Sequence, residues 1–321
     1  MGIKQGRGDP APTQNHGEGT MDVTFQTVMS QLMLGLNNGA FYAVLSLGLA
    51  VIFGLLNIIN FAHGALYMLG AFVALLGYTE LGPLLGMPEF HLNYWAALIV
   101  APLVVGGIGI ILERTMLRRL YRVDHLYGLL LTFGVALIFQ GIFTNYFNVS
   151  GTPYDGKPEL LNGVVNLGFM MFPTYRLWSI VVSLTICFGT WFMIERTRLG
   201  SYLRAGTENP HLVQAFGINV PLMVTLTYGY GVGLAAFAGV VAAPIYSVSA
   251  VMGAEMIITV FAVVVIGGMG SIMGAIVTGL ALGMVEGLTK VIYPPASSTV
   301  IFFMMVLVLL VKPAGLFGKE Q

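Results

Sequence analysis

Residues 35–72 read GLNNGAFYAVLSLGLAVIFGLLNIINFAHGALYMLGAF, and they contain no aspartate, glutamate, lysine or arginine. Crossing about 30 Å of hydrocarbon takes roughly 20 predominantly apolar residues in a helix. In lipid only helices and closed barrels satisfy the backbone hydrogen bonds, and this stretch is too long and too unalternating for barrel strands. It therefore predicts two membrane-spanning helices, over 32–55 and 61–79.

The same pattern continues along the rest of the chain. Hydrophobic residues make up 57% of the sequence and charged residues only 9%, against about 25% charged residues in a soluble domain, so lipid must cover much of the surface. Because Gly267, Gly268 and Gly270 interrupt the longest apolar run, we interpret that run as two short crossings. The predicted fold class is all-α, a polytopic transmembrane helical bundle with eight or nine spanning segments. The further apolar runs are 93–112, 126–147, 177–194, 222–247, 256–288 and 297–311.

The first twenty residues are a different kind of segment. They are rich in glycine, proline and polar residues, and they lack the apolar core of a signal peptide. Such a composition cannot bury enough apolar surface to offset the entropy of ordering, so residues 1–20 are predicted to be a disordered tail. The transmembrane domain is predicted to occupy 21–321.

The charges of the loops orient the chain. Four arginines lie between Glu113 and Asp124, and three more lie in 195–208. Short loops with such an excess of positive charge stay in the cytoplasm. Two predicted spans separate these loops, so both face inward and the intervening loop 148–176 faces outward. The charge rule favours nine crossings with the N-terminus outside.

Glycines recur every four residues within several predicted spans. The clearest series is Gly279, Gly283 and Gly287, and Gly35 with Gly39 forms a shorter one. Such stripes let helix backbones approach one another closely in lipid. We interpret them as packing surfaces, and a sliding surface between helices during a transport cycle is the alternative.

The sequence carries no recognisable pattern of a catalytic site. There is no Gly-x-x-x-x-Gly-Lys-Ser/Thr run, so the chain is predicted to have no P-loop of its own, and its histidines follow no metal-ligand spacing. Lysine plus arginine and aspartate plus glutamate both count 14, which argues against nucleic-acid binding. The single cysteine, Cys187, lies in an apolar run and is predicted to be a buried inert thiol. We predict no catalytic residues, no metal and no cofactor, with an unrecognised membrane enzyme as a minor alternative.

Uncharged polar side chains cluster in the first two predicted spans and in the turn between them. The candidates for a translocation path are Asn37, Asn38, Asn57, Asn60 and His63. The last three follow a three-residue spacing and would share one face of a helix or a tight re-entrant turn. Neutral amides and an imidazole would line a path for a zwitterion without trapping it. Hydrogen bonding between helices is an equally good interpretation.

Carboxylates within the apolar runs lie near the ends of the predicted helices. Glu255 is expected at a helix N-terminus, which stabilises negative charge. Glu286 lies four residues before Lys290, an order that suits a helical ion pair. Both helix ends are predicted to extend their charged groups toward the membrane interface. Because ion-coupled carriers hold an ionisable group at depth, this pattern argues against such a carrier.

Residues 195–221 read ERTRLGSYLRAGTENPHLVQAFGINVP, which is too polar to span a membrane and too apolar for a plain linker. The stretch from Glu208 to Pro210 predicts a helix start, and Gly217 predicts its end. A short amphipathic helix on the inner face would present a surface to a cytoplasmic partner. An interfacial helix lying on lipid is the alternative.

Three stretches taken together resemble a known permease family. In this combination the chain resembles the LivH-type permease subunits of branched-chain amino acid ABC transporters, from about residue 22 to 318. The stretches are residues 35–72 with their Asn-Phe-Ala-His-Gly run, RTRLGSYLRAGTENPHLVQAFGINV at 196–220, and VIGGMGSIMGAIVTGLALGMVEGL at 265–288, followed by KPAGLFG at 312–318.

The resemblance implies an ABC importer permease of the bacterial inner membrane, multi-pass and surrounded by lipid. Such a permease pairs with a second, LivM-like permease and docks on two ATP-binding subunits, which hydrolyse the ATP. A periplasmic binding protein delivers branched-chain amino acids or related small amides. The coupling loop lacks the Glu-Ala-Ala signature of other ABC importers. By position, the residues implied to form this ATPase-coupling loop at 195–221 are Arg196, Gly200, Arg204, Ala205, Gly206 and Gly217.

A secondary, ion-coupled amino acid carrier is the main alternative function. Carriers of that kind contain inverted repeats and a buried ion-coupling site, and the sequence shows no clear repeat. A lipid-facing scaffold, supported only by the glycine stripes, is the third interpretation. Dependence of uptake on ATP rather than on membrane potential separates the first two.

Overall fold

A computed structural model of the protein describes residues 25–56, 59–84, 86–87, 89–121, 123–147 and 149–318. The tail predicted for 1–20 and the candidate path residue Asn57 lie outside these ranges. Both therefore stay predictions.

The described part of the chain is mostly helical. A π-helical turn, Glu113–Leu117, joins two of the helices, and 3-10 turns cover Glu159–Leu161 and Pro294–Ala296. Two strands, β1 (Val164–Asn166) and β2 (Met171–Pro173), form an antiparallel hairpin. The helices are α1 (Phe25–Leu56), α2 (Ala62–Thr79), α3 (Leu81–Leu84), α4 (Tyr94–Leu112), α5 (Arg118–Leu120), α6 (His125–Tyr146), α7 (Thr174–Arg196), α8 (Arg198–Glu208), α9 (Pro210–Ala215), α10 (Val220–Ala242), α11 (Met252–Gly267), α12 (Ile272–Ile292) and α13 (Val300–Val311).

Nine apolar helices form the bundle within the described ranges. Seven of them, α1, α2, α4, α6, α7, α10 and α12, are long and apolar enough to cross a membrane. Helix α11 has 16 residues and α13 has 12, which at 1.5 Å per residue gives about 24 and 18 Å. The predicted polytopic helical bundle is confirmed, although these two helices are shorter than the ~30 Å hydrocarbon core.

The break predicted in the long apolar run lies between α11 and α12. Gly268 and Gly270 have φ angles of +98° and +80°, a backbone region that glycine adopts without a steric penalty. The Ser271 hydroxyl then accepts a hydrogen bond from the backbone N–H of Gly274 at 3.1 Å, which caps α12. The run therefore forms two helices because glycine permits the turn and serine starts the second helix.

Three helices form the centre of the bundle and three others surround it. The most apolar windows of α1, α2 and α10 are 83%, 72% and 78% buried, whereas those of α4, α6 and α7 are only 28%, 17% and 33% buried. The exposed side chains of α6 include Leu130, Leu137 and Ile138. Since these surfaces are apolar, they face lipid or another membrane subunit.

The glycine stripes form the contact between α1 and α12. A Cβ atom built on Gly283 would lie 2.3 Å from the Cα of Gly39, and one built on Gly35 would lie 2.4 Å from the carbonyl oxygen of Gly283. Such distances leave no room for a side chain, so the two backbones touch. The interpretation of the stripes as packing surfaces is confirmed.

Segments that were predicted to share one side of the membrane lie at the same end of the bundle. We call the end that holds 113–121 and 198–224 the inner end, because the charge rule places both segments in the cytoplasm. At the opposite, outer end, Thr152 and Val248 exchange two backbone hydrogen bonds of 2.8 and 2.9 Å. The bundle is therefore consistent with the predicted alternation of loops.

Candidate functional site

The polar segment between α7 and α10 folds into two helices, and we call residues 198–216 the α8–α9 element. The predicted helix start and end are confirmed for α9: the Asn209 side chain accepts from the Leu212 N–H at 3.0 Å, and Gly217 has a φ of +82°. Helix α8 was not predicted. Its eleven residues were taken as loop because the only helix start was placed at Glu208 to Pro210, where α8 ends.

Helix α8 is fixed tightly to the end of α7. A Cβ atom on Gly200 would lie only 1.6 Å from the carbonyl oxygen of Ile194, so only glycine fits at this contact. The guanidinium of Arg204 donates to that same carbonyl at 3.2 Å and to the Glu195 carboxylate at 3.3 Å. Helix α8 and the inner end of α7 therefore form one rigid corner.

The opposite side of α8 rests near α10. Gly206 is buried, and a Cβ atom there would lie 2.7 Å from the Cε methyl of Met223. Of the other residues implied for the coupling loop, Arg196 and Ala205 are exposed, with the Arg196 guanidinium 5.8 Å from the centre of the Trp191 ring. The residues implied for the coupling loop therefore fall into two groups. Buried glycines let α8 pack closely against its neighbours, and exposed residues are available to a partner.

Large apolar side chains of the α8–α9 element point away from the bundle. Phe216 is 78% exposed and Leu199 is 57% exposed, and Tyr202 and Leu212 are also exposed. These residues lie beside exposed arginines at the inner end of the protein. An exposed apolar patch with a polar rim is typical of a protein or membrane contact.

A cavity of about 780 Å³ separates the α8–α9 element from the membrane helices. It brings together the inner ends of α1 and α10, the π-helical turn and the α11–α12 turn. Among its lining residues are Phe53, Glu113, Thr207, Gln214 and Met269. This space lies between the element and the inner ends of the membrane helices.

Glu113 is a buried carboxylate that the sequence did not reveal. It is 1% exposed and accepts hydrogen bonds from the Tyr121 hydroxyl and the Thr225 hydroxyl, both at 2.7 Å. Because it lies between an apolar run and an arginine-rich loop, it was taken as a loop residue. The π-helical turn that carries it redirects the side chain toward α10, and such turns are frequent at functional sites.

Asn60 joins the start of α2 to α10. Its amide donates to the Tyr228 hydroxyl at 3.0 Å, and its carbonyl oxygen accepts from the Ala62 N–H at 3.1 Å. The Phe61 N–H donates to the Thr132 hydroxyl at 3.1 Å. Tyr228 lies eight residues after the start of α10, which at 1.5 Å per residue is about 12 Å from the inner end of that helix. The non-helical backbone at Asn60 and Phe61 is therefore buried among helices, where protein groups satisfy its hydrogen bonds.

The other predicted path residues also make contacts between helices. His63 is fully buried, and its Nε2 lies 2.9 Å from the Leu45 carbonyl oxygen, so Nε2 carries the proton and donates. Asn37 accepts from the Ser179 hydroxyl of α7 at 2.8 Å. These contacts agree with the interpretation of hydrogen bonding between helices. A role of Asn37, Asn38, Asn57, Asn60 and His63 in translocation stays a prediction.

Near the outer end, a polar cluster joins α1 to α12. Glu286 pairs with Lys290 at 2.6 Å, as the spacing predicted, and it also accepts from the Tyr42 hydroxyl at 2.8 Å. The expectation that Glu286 reaches for the interface was wrong, since the residue is only 7% exposed. The glycine contact draws α1 so close that Tyr42 and Asn38 reach the carboxylate, the Asn38 amide at 3.4 Å.

The loop after α10 extends this cluster. The Tyr246 hydroxyl donates to the Asn38 carbonyl oxygen at 2.8 Å. Burial raises the pKa of Tyr246 to about 12, although the charge of Arg176 acts in the opposite direction. The hydroxyl therefore keeps its proton at physiological pH and remains a donor to α1.

Comparison with known proteins shows the family to which the chain belongs. Residues 31–310 match the family described as the permease component of branched-chain amino acid transport systems. The chain belongs to this permease family. It is a multi-pass membrane protein, as the seven long apolar helices require.

Curated relatives of this family align along almost the whole chain. The permease BraD of Pseudomonas aeruginosa is 29% identical over 91% of this chain and 96% of its own length. The permease LivH of Escherichia coli K12 is 28% identical, covering 94% and 99%, and a probable LivH of Methanocaldococcus jannaschii is 27% identical, covering 86% and 88%. Among solved structures, PsaBC from Streptococcus pneumoniae aligns at 14% identity with a TM-score of 0.39.

Proposed function

We propose that this chain is the membrane-spanning permease subunit of an ATP-binding-cassette importer that takes up branched-chain amino acids. Its curated relatives are named as high-affinity permeases for these substrates. The observation that carries the proposal is the α8–α9 element. It combines a rigid attachment to α7 with exposed apolar side chains at the inner end, as a docking surface for an ATPase subunit requires.

In this proposal the α8–α9 element transmits the movement of the ATPase. A partner shifts a conformational equilibrium only if it contacts the two states differently. The exposed residues Leu199, Tyr202 and Phe216 would contact the ATPase subunit. The Gly200 corner would pass the displacement to α7, while the cavity above the element leaves room for it.

The chain would supply half of the translocation path, and a second, LivM-like permease would supply the other half. Two ATP-binding subunits would hydrolyse ATP beneath the pair, so the permease itself needs neither cofactor nor catalytic residue. A periplasmic binding protein would deliver the amino acid and set most of the selectivity. The complex would lie in the bacterial inner membrane, with 21–321 acting as a single permease domain.

Gentle affinity purification of the chain from its native membrane, followed by mass spectrometry, tests this assembly. We expect stoichiometric ATP-binding subunits and a second permease to copurify. A chain that comes down alone or paired only with itself would contradict the importer and favour a secondary carrier.

A further inference from the structure

A polar cavity of about 350 Å³ opens at the outer end of the protein. It lies between the segment 153–162, which precedes the β-hairpin, and the segment 243–247, which follows α10. Its volume is within the range of small-molecule sites, about 300–1,000 Å³. The polar residues that line it are Tyr154, Asp155, Lys157, Asn162, Tyr246 and Ser247.

Two residues of opposite charge line this cavity, and no ion pair joins them in the part of the chain that the structure describes. Asp155 and Lys157 both line it, and neither belongs to the ion pairs found in the described ranges, which join Arg204 to Glu195 and Lys290 to Glu286. Neither side chain makes a hydrogen bond within those ranges either. The cavity therefore presents an anion and a cation, each available to a ligand.

A buried tyrosine forms part of the cavity wall. Tyr154 is 5% exposed, and its hydroxyl has no hydrogen-bond partner in the described part of the chain. A Cβ atom on Gly156 would lie 2.6 Å from that hydroxyl, so glycine is what allows the ring to lie there. Buried polar groups without a partner are rare, and this hydroxyl has almost no accessible surface, so it belongs to the wall of the cavity and is not itself open to a ligand.

The rest of the lining is apolar. Ala243, Pro244 and Ile245 form the wall contributed by the segment that follows α10. A molecule that carries an ammonium group, a carboxylate and a short hydrocarbon side chain matches all three parts of this lining. That description fits an apolar α-amino acid.

We propose that this cavity is a receiving site of the permease for the zwitterionic amino acid released at the outer face. Asp155 would bind the ammonium group, Lys157 the carboxylate, and the 243–245 wall the side chain. The assignment of the ligand class rests on the proposed function. Tyr246 forms the boundary between the cavity and α1, since its hydroxyl donates to Asn38, so the site adjoins the central helices.

Uptake by the complete reconstituted transporter tests the two charges. We expect Asp155→Asn and Lys157→Gln each to lower ATP-dependent leucine uptake about tenfold or more, as removal of a charged hydrogen bond to a ligand would. Glu159→Gln is the matched control: this exposed carboxylate lies in the same segment but does not line the cavity. Uptake in both variants equal to that of the control would overturn the receiving site.

Thiol protection tests occupancy directly. Ser247→Cys places a thiol in the cavity, and the natural Cys187 is buried and should not react. We expect millimolar leucine to slow modification of Cys at 247 by a water-soluble methanethiosulfonate, while Ser298→Cys on the outer turn before α13 stays unprotected. Absence of protection, or protection only by the binding protein, would overturn the proposal.

The two proposals fail in distinguishable ways. If the wild-type complex shows no ATP-dependent leucine uptake, the proposed function itself is wrong. If the wild-type complex transports leucine while both charge variants transport normally, or while position 247 is unprotected, only the receiving site is wrong.

Discussion

Gly283 lies where α12 meets α1, and a methyl group there would come within 2.3 Å of the Gly39 Cα. Gly283→Ala should lower the stability of the purified protein by about 1–3 kcal/mol, because overpacking forces the helices apart. Gly134→Ala on α6 is the matched control, since its Cβ atom would meet no atom within 4 Å. The stability of both variants is measured by unfolding in detergent, and equal stability would contradict the close contact between α1 and α12.

The Tyr42 hydroxyl donates to Glu286 at the buried polar cluster. Tyr42→Phe removes one hydrogen bond to a charged group and should destabilise the protein by about 1.5–3 kcal/mol. Tyr146→Phe serves as the control, because Tyr146 is 78% exposed on the outside of the bundle. If the two variants unfold alike, the cluster contributes nothing to the association of α1 with α12.

Ala205 is exposed on α8, so its replacement tests docking without disturbing the folded chain. Ala205→Glu should abolish uptake and copurification of the ATPase subunits, because a carboxylate would be desolvated in the contact. Its membrane insertion and thermal stability should match those of Ala205→Ser. Normal uptake by Ala205→Glu would remove the α8–α9 element from the coupling mechanism.

At the scale of helices, the sequence predicts the apolar elements well. Runs of apolar residues predicted each long helix, because length and hydropathy suffice in lipid. The break near Gly268 and the end of α9 at Gly217 were also predictable, since both glycines have positive φ. Helix α8 and the π-helical turn at Glu113–Leu117 were not, because tertiary contacts with α7 and α10 stabilise them.

The corner between α7 and α8 is the element whose rigidity the mechanism needs. Gly200→Ala must displace α8, because its Cβ atom would lie 1.6 Å from the Ile194 carbonyl oxygen. We expect the assembled transporter to retain ATP hydrolysis while leucine uptake per ATP falls several-fold. Gly189→Ala on α7, where a Cβ atom meets nothing within 4 Å, is the control. An unchanged ratio of uptake to hydrolysis would argue that α8 transmits no movement.

At the scale of the molecule, the sequence identified the class of protein better than the site. The membrane bundle and the family follow from apolar runs and from motifs that extend along most of the chain. Glu113 and Glu286 show the limit of that reasoning. Glu113 was taken as a loop residue and Glu286 as an interfacial one, yet both are buried between helices that lie far apart in sequence. Only packing of α1 against α12, and of α4 against α10, reveals their partners.

In the proposed importer, ATP hydrolysis by partner subunits drives amino acid uptake through this permease. The most direct measurement is uptake of labelled leucine into proteoliposomes that contain the purified complex together with its binding protein. We expect accumulation that requires ATP on the side of the α8–α9 element, persists when the membrane potential is dissipated, and is lost with Ala205→Glu. Uptake without ATP, driven by membrane potential or by an ion gradient and unaffected by Ala205→Glu, would contradict it.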